Sequence, residues 1–405
     1  MTQKQSAYVI EAVRTPTGRR GGGLSKVHPV TLGVTVAKEV VKRAGIKAEL
    51  INECIVGCAT QTAEQGLNLG RFIALSAFSP KMPASTVNML CGSSAEAIRF
   101  GAALVASSEA EVVLVLGVEN NLMVFQGQDL MPSSSTFWGN VKNLIELTKR
   151  GINIVNLSLP KDYKFHSMGK SGDAIAKKYN HSFQELNQFG LDSHMKAASA
   201  MYNGKFNDEI VPVYTPGGFV SFDESIRPDT SLTKLSKLKS AFGGLHTAGT
   251  SSQISAGAAA LLIANDDAIK KYNLKPMSKI IASSVVGTNP EVPEEQLIGP
   301  VYAIPKVLEE AALHLDKIDL FEINEAFASV VLATQEELNI PWEKINVNGG
   351  AIALGHPLGV SGVRLPVTLL YEMQRRGKEG KPSKYGLAAL CIGGGQAIAT
   401  IFERV

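Results

Sequence analysis

Short runs of β-branched and apolar residues alternate along this chain with longer stretches whose apolar positions recur at helical spacing. Tyr8–Val13, Glu53–Cys58 and Leu320–Ile323 are predicted strands, each a brief apolar run beside polar or turn-forming residues. Thr31–Ala44 carries the helical pattern, and Gly45 behind it is a stop signal. Val112–Val118 is apolar without interruption, the signature of a strand buried on both faces. Strands and helices in alternation predict an α/β architecture with helices covering a central sheet.

Two segments repeat one pattern. Ala84–Val118 reads as strand, sharp Cys-Gly turn, small-residue helix, polar break and buried strand. Asn346–Gly395 reads as strand, Gly-rich turn, helix, charged break and buried strand. The pattern suggests a duplication, which would bring the two turns together across a pseudo-twofold axis. Between them, residues 124–246 shift towards polar and aromatic composition and include the basic segment Arg227–Lys239. They read as a large insertion. Within it Phe137–Leu159 is either a packed, solvated helix or a lid, oligomer contact or partner surface.

Composition narrows the function classes. Of 405 residues, 45% are hydrophobic and 19% charged, which fits a globular chain of two or three domains. Forty basic against 37 acidic residues give a net charge of +3, too balanced to predict nucleic-acid binding. The longest apolar runs fall short of the ~18 residues that span a bilayer. No secretory leader is evident, so a cytoplasmic location is expected. Four cysteines exclude a disulfide scaffold and leave metal, nucleophile or core roles open.

Cys91, in VNMLCGSSAEAIRF, is predicted to lie at a helix N-terminus, where unpaired N–H groups and the helix dipole favour a thiolate. The plain alternative is a buried structural cysteine. His356, in NVNGGAIALGHPLGVSGVR, sits in a Gly-rich loop where an imidazole can take a proton from a thiol, or where it is a satisfied core histidine. Cys391, in LAALCIGGGQ, stands at the end of a buried strand that enters Gly393, Gly394 and Gly395. A phosphate loop competes there, but no Lys follows as in a Walker motif. Asn324 and Glu325, in FEINEAFA, follow a strand and either cap the next helix or join the site, Glu325 as an acid only if buried. Cys54 and Cys58 have no second ligand pair at zinc spacing and read as core; no metal site is expected.

Taken in order, VNMLCGSS, NEAFA, NVNGGAIALGHPLGVSG and CIGGGQ resemble the thiolase family of acetyl-CoA acyltransferases. The likeness spans nearly the whole chain, from YVIEAVRTPTGRRGG through GCATQTAEQGLNLGR to SHMKAASAMYNGKFNDEIVPV. It implies a thiolase-like five-layered αβαβα fold: two duplicated halves, residues 1–123 with 247–277 and residues 278–405, and a CoA-binding loop domain at 124–246. It implies CoA-dependent thiolysis of 3-oxoacyl-CoA, with no cofactor beyond coenzyme A as substrate.

By the same resemblance, Cys91 is the acyl-accepting nucleophile and His356 activates it. Cys391 moves the α-carbon proton, and Asn324 holds a water that completes an oxyanion site with His356. The N–H groups of Cys91 and Gly393 form the second oxyanion site. Met168 and Phe327 line the channel near the thioester. Arg227, Leu235 and Phe242 lie along the adenine and pantetheine, and Ala248 and Ser252 touch the pantetheine. A homodimer or homotetramer is implied, with a β-oxidation multienzyme partner as an option. The chain departs from the common pattern at Ser94, in GKSGDAIA after Met168 and in TSSQISAG, which leaves the acyl preference open. The alternatives are an acetoacetyl-CoA-forming thiolase, a ketoacyl-synthase-like condensing enzyme, and a non-catalytic CoA-ester binder.

Overall fold

The apolar runs become strands of one continuous sheet. A computed structural model describes residues 5–128 and 166–405, so Phe137–Leu159 lies outside the described residues. The first half runs β1 (Ala7–Arg14), α1 (Pro29–Ala44), β2 (Glu53–Gly57), α2 (Leu69–Ala77), β3 (Ala84–Val87), α3 (Ser93–Ala106) and β4 (Val112–Asn120). Then come α4 (Met168–Lys178), α5 (Phe183–Tyr202), the hairpin β5 (Val213–Thr215) and β6 (Gly218–Val220), and the single turn α6 (Leu232–Leu235). The remainder is β7 (Ala256–Asn265), α7 (Asp266–Tyr272), β8 (Ser278–Gly287), α8 (Pro300–Glu310), β9 (Leu320–Ile323), α9 (Ala328–Leu338), α10 (Ala351–Leu354), α11 (Ser361–Lys378), β10 (Tyr385–Ile392) and β11 (Gln396–Arg404).

Local rules explain the boundaries. Pro29 opens α1 with its φ already helical, His28 caps it by accepting from Val30 N–H, and Gly45 closes it at φ 66°. Ser182 and Glu185 form a reciprocal capping box on α5. Every residue of β4 and β7 is buried, as an unbroken apolar run requires when both faces of a sheet are covered.

The strand order is β3-β2-β4-β7-β1-β8-β11-β10-β9. Read inward from each end it repeats itself. In the first half β2 pairs in parallel with β3 and β4, and β7 runs antiparallel to β4 and β1. In the second half β9 is parallel to β10, and β11 is antiparallel to β10 and β8. The halves meet where β1 and β8 pair over three residues, Ala7–Val9 against Ser278–Ile280. The strand expected at Asn346 is the point of difference. The counterpart of β3 shrinks to one parallel bridge, Phe321 to Ile345, because Trp342–Lys344 forms a 3-10 turn and Asn346 turns left-handed.

Five layers result. α1 and α2 cover the outer face of the first half-sheet, and α8 with α9 covers the second. α3 and α11 lie between the half-sheets and touch each other and strands of both halves. Three apolar cores separate these layers, and the middle one draws on α3, α11 and both halves. Cys54 and Cys58 are both buried in the first core, as the core reading expects. Among the described residues, no helix is long and apolar enough to cross a membrane.

The central layer closes backbone to backbone. A Cβ on Gly362 would fall 2.1 Å from the backbone nitrogen of Ala95, and Val363 N–H donates to Ser94 Oγ at 3.0 Å. Gly362→Ala should therefore force α11 off α3 and lower stability by about 1–3 kcal/mol in urea unfolding. Gly217→Ala, whose nearest atom would be 3.8 Å away, should stay within about 0.5 kcal/mol of the parent.

Candidate active site

Strand ends and helix starts deliver the candidate residues to one place. Between β3 and α3 the chain makes a tight turn with Leu90 at φ 49°, a left-handed conformation rare for a large side chain. Asn88 Oδ1 accepts from Leu90 N–H at 2.9 Å, and Ser93 Oγ accepts from Met89 N–H at 2.9 Å. These bonds hold the strain in place and present Cys91 just before the first turn of α3, half-buried. Gly92 lets this turn meet the β10 end, since a Cβ there would sit 2.3 Å from Ile392 Cδ1.

Cys391 is the next-to-last residue of β10, paired with Ala397 across the hairpin to β11. Gly394 and Gly395 make the reversal at φ 84° and 72°. That strand-to-strand hairpin is incompatible with a phosphate loop, which leads from a strand into a helix. The backbone N–H groups of Gly393 and of Cys91 itself favour the ionised form of the Cys91 thiol. Cys391 is pushed up by burial first and by a charge on Cys91 second. The turn that carries Cys91 and the strand end that carries Cys391, 300 positions apart in the chain, are thus packed against each other.

His356 is buried on the second Gly-rich loop, with its N–H bonded to Gln253 O at 3.0 Å. Its Nδ1 lies 2.6 Å from Ser361 Oγ, at the start of α11. Its Nε2 lies 3.4 Å from Asn324 Nδ2. Asn324 does not cap α9, which begins at Ala328; its backbone N–H instead bonds to Ala389 O beside β10. Its Oδ1 is buried without a protein partner among the described residues. Glu325 is also buried, but Ser193 Oγ, Asn346 Nδ2 and Ile352 N–H occupy its oxygens, so it braces the loop.

The charge state differs from the sequence expectation. Burial pushes the Cys91 thiol up to about 11 and outweighs the N–H groups of Gly393 and Cys91; Glu119 adds to the rise. Burial, then the Arg364 cation, pulls His356 down to about 3. The resting pair is a neutral thiol and a neutral imidazole, because the desolvation cost of an ion in this closed layer exceeds what one helix terminus supplies.

The residues expected along the CoA path divide into two groups. Met168 opens α4 and its Sδ lies 3.2 Å from where a Cβ on Gly393 would be. Phe327 packs edge-on to Phe242 and His246 at 5.7 and 5.2 Å between ring centroids. Met168 and Phe327 belong to the cluster that encloses Cys391. Ser252 N–H bonds to Ala326 O at 3.0 Å, on the same rim. Leu235 is buried against Gly249, next to the exposed Ala248. Arg227, in the insertion, is exposed, and its backbone N–H bonds to His194 Nδ1 at 3.2 Å. Sequence reasoning missed Ser361, Arg364 and Glu119. Glu119 carried a visible signal, a carboxylate directly behind the buried strand pattern Val112–Val118. Among the described residues, no group of three His, Cys, Asp or Glu side chains is arranged to hold a metal.

A duplicated α/β fold with paired sulfurs, an imidazole and an amide at the junction of its halves defines a condensing-enzyme class. The thiolase N-terminal domain matches residues 7–267 and the thiolase C-terminal domain residues 274–404. A β-ketoadipyl-CoA thiolase of Acinetobacter baylyi is 39% identical over 98% of this chain and 99% of its own. A 3-ketoacyl-CoA thiolase of Bacillus subtilis is 39% identical over the same shares. The solved acetyl-CoA acetyltransferase of Bacillus anthracis superposes with TM-score 0.86 at 33% identity, covering 100% of both chains. Human mitochondrial 3-ketoacyl-CoA thiolase gives 0.85 at 34%, covering 99% of each. The chain belongs to the thiolase family.

Buried neutral imidazoles make stability pH-dependent. Burial lowers His194 and His246 to about 4 and His356 to about 3, all below the unfolded value of about 6.5. As pH falls through about 6.5, the unfolded chain takes up protons that the folded chain refuses, so folding weakens from there down to about 4. Urea midpoints should decline between pH 7 and pH 5, by on the order of 1–2 kcal/mol for each imidazole. His246→Asn should flatten that slope.

Proposed function

We propose that this thiolase cleaves 3-oxoacyl-CoA to acetyl-CoA and a shortened acyl-CoA through an acyl-Cys91 intermediate. The observation that carries the reading is the packing of the Cys91 turn against the β10 end that holds Cys391, with the Asn324–His356 pair in the same junction. The Cys91 thiol gives its proton to His356 Nε2 as its sulfur attacks the 3-keto carbon. The C2–C3 bond breaks, and its electrons pass to the thioester as an acetyl-CoA enolate. Nε2–H and Asn324 Nδ2–H, 3.4 Å apart, are two donors for that enolate oxygen, directly or through a water. Cys391 delivers the proton to C2 and becomes the thiolate.

In the second half-reaction, the Cys391 thiolate takes the proton of an incoming CoA thiol, which attacks acyl-Cys91. The N–H groups of Cys91 and Gly393 hold the tetrahedral oxygen. The acyl group leaves on CoA, Cys91 recovers its proton, and the kinetics are ping-pong. A resting neutral pair suits this sequence, because charge appears only when substrate is present to share it.

Residues 124–246 supply the CoA loop domain in this reading, with Arg227 towards the nucleotide end and Phe242, Ala248 and Ser252 along the pantetheine arm. Support comes from human mitochondrial 3-ketoacyl-CoA thiolase, solved in complex with CoA and sharing 34% identity. A second reading, condensation of two acetyl-CoA, is favoured by an acetyl-CoA acetyltransferase of Chromobacterium violaceum at 40% identity. Both readings use the same site, so chain length separates them. Thiolysis followed at the thioester absorbance should extend beyond acetoacetyl-CoA to longer 3-oxoacyl chains; activity confined to acetoacetyl-CoA would favour the second reading.

Substitutions separate the roles of the sulfurs. Cys91→Ala should abolish acyl-enzyme formation. Cys391→Ala should still accept an acyl group at Cys91 while losing carbon–carbon cleavage and condensation. Asn324→Ala removes one enolate donor and should slow cleavage about 100- to 1000-fold, the range for a single oxyanion donor. Normal condensation by Cys391→Ala would contradict the assignment.

A further inference from the structure

Glu119 is a buried charge that the reaction scheme leaves unused. It is the next-to-last residue of β4, is fully buried, and no cationic side chain pairs with it among the described residues. Its carboxylate is instead ringed by neutral donors. Oε2 accepts from Ala59 N–H at 2.7 Å and from Gly359 N–H at 3.0 Å. Oε1 accepts from Thr60 N–H at 3.1 Å, Gln65 Nε2 at 2.8 Å and Asn121 Nδ2 at 3.1 Å.

These donors come from three separate pieces of chain. Ala59, Thr60 and Gln65 belong to the loop after β2, Asn121 to the exit of β4, and Gly359 to the turn three residues beyond His356. Gln65 is oriented without ambiguity, since its Oε1 accepts from Asn120 N–H at 2.5 Å and its Nε2 also donates to Thr60 O at 2.8 Å. The approach is close enough to demand glycine. A Cβ on Gly359 would lie 2.7 Å from Glu119 Oε2 and 2.7 Å from Cys58 Cα. The same pieces reach the nucleophile, because Asn88 in the Cys91 turn donates to Ala59 O at 2.9 Å.

We propose that Glu119 is a positioning residue for acyl transfer: its carboxylate ties the His356 turn to the loop after β2 and the end of β4, and so sets where the imidazole stands beside Asn324. An isolated buried carboxylate is costly, and a site built only of donors is the way to keep it. All five partners give hydrogen and none among them accepts it, so the ionised form fits the ring and a protonated one does not. Burial raises the pKa of Glu119 and the donors oppose that rise. The anion also lies within electrostatic reach of Cys91 and disfavours a standing thiolate there. This inference rests on the Cys91–His356 chemistry proposed above.

Glu119→Gln keeps the shape and removes the charge. Its NH2 group must face N–H donors on one side of the ring, which displaces either the His356 turn or the loop after β2. Steady-state thiolysis should show kcat lowered about 10- to 100-fold, the scale of a small misplacement at a reacting centre, with KM for CoA within about twofold. The pH profile of Cys91 alkylation by iodoacetamide, followed by peptide mass spectrometry, should move to lower pH. Cys91 would then be faced by Cys391 from β10 and by His356, with the β4 anion gone. Glu119→Asp keeps the charge but loses reach, so it should lower kcat while leaving the alkylation profile near that of the parent. Should Glu119→Gln fail to fold, Gln65→Met removes one donor and should lower kcat with KM unchanged. A kcat within twofold of the parent in the variant that folds, or a loss expressed in KM for CoA alone, would overturn the proposal. A parent protein without thiolysis on any 3-oxoacyl-CoA would overturn the functional reading instead, and the alkylation profiles would still report on Glu119.

Discussion

Everything in this molecule leans on the contact between two helix starts in its middle layer. Each half-sheet sends one helix inward, and α3 and α11 approach until backbone meets backbone at Ala95 and Gly362. The Cys91 turn leads into one helix and the His356 turn leads into the other. Bringing the helices together therefore brings together the residues just before them. The C-terminal ends of β9 and β10 add Asn324 and Cys391 from the same side. A duplicated fold turns one local arrangement, strand then tight turn then buried helix, into a site with two unlike edges.

Placing this junction at the centre has an electrostatic consequence. Burial opposes the thiolate on Cys91, the thiolate on Cys391 and the imidazolium on His356 alike. The charges that do persist are held apart from the reacting atoms and are dressed in hydrogen bonds or opposite charge. Arg14 is fully buried between Glu209 and Asp223 at 2.6 and 2.7 Å, and Glu119 sits in its ring of donors. Arg364 approaches Glu322 only to 3.8 Å and leaves Nε and Nη1 without hydrogen-bond partners among the described residues, and its charge adds to burial in keeping His356 neutral.

Much of this was legible in the residues themselves. Unbroken apolar runs predicted β4 correctly, and Gly45 marked the end of α1 within a residue. The Cys-Gly, Gly-His-Pro and Cys-Ile-Gly-Gly-Gly turns pointed to the junction because each pairs a reactive side chain with backbone freedom. Other features were hidden for physical reasons. The third strand of the second half was overestimated because Asn346 turns left-handed before a strand can form. The sign of the Cys91 shift was misjudged because a helix terminus is visible in sequence and depth of burial is not. Glu325 was a candidate acid only if buried; it is buried, yet its oxygens are taken by Ser193, Asn346 and Ile352, and Ser193 lies 132 positions away in the chain.

The central claim is that the acyl group passes through Cys91 alone. A rapid acid quench of the parent enzyme with an acyl-labelled 3-oxoacyl-CoA, followed by peptide mapping, addresses it directly. The account predicts label on the peptide that contains Cys91, cleared when CoA is added. Label on the Cys391 peptide, or product formed with no labelled protein at any time, would contradict it.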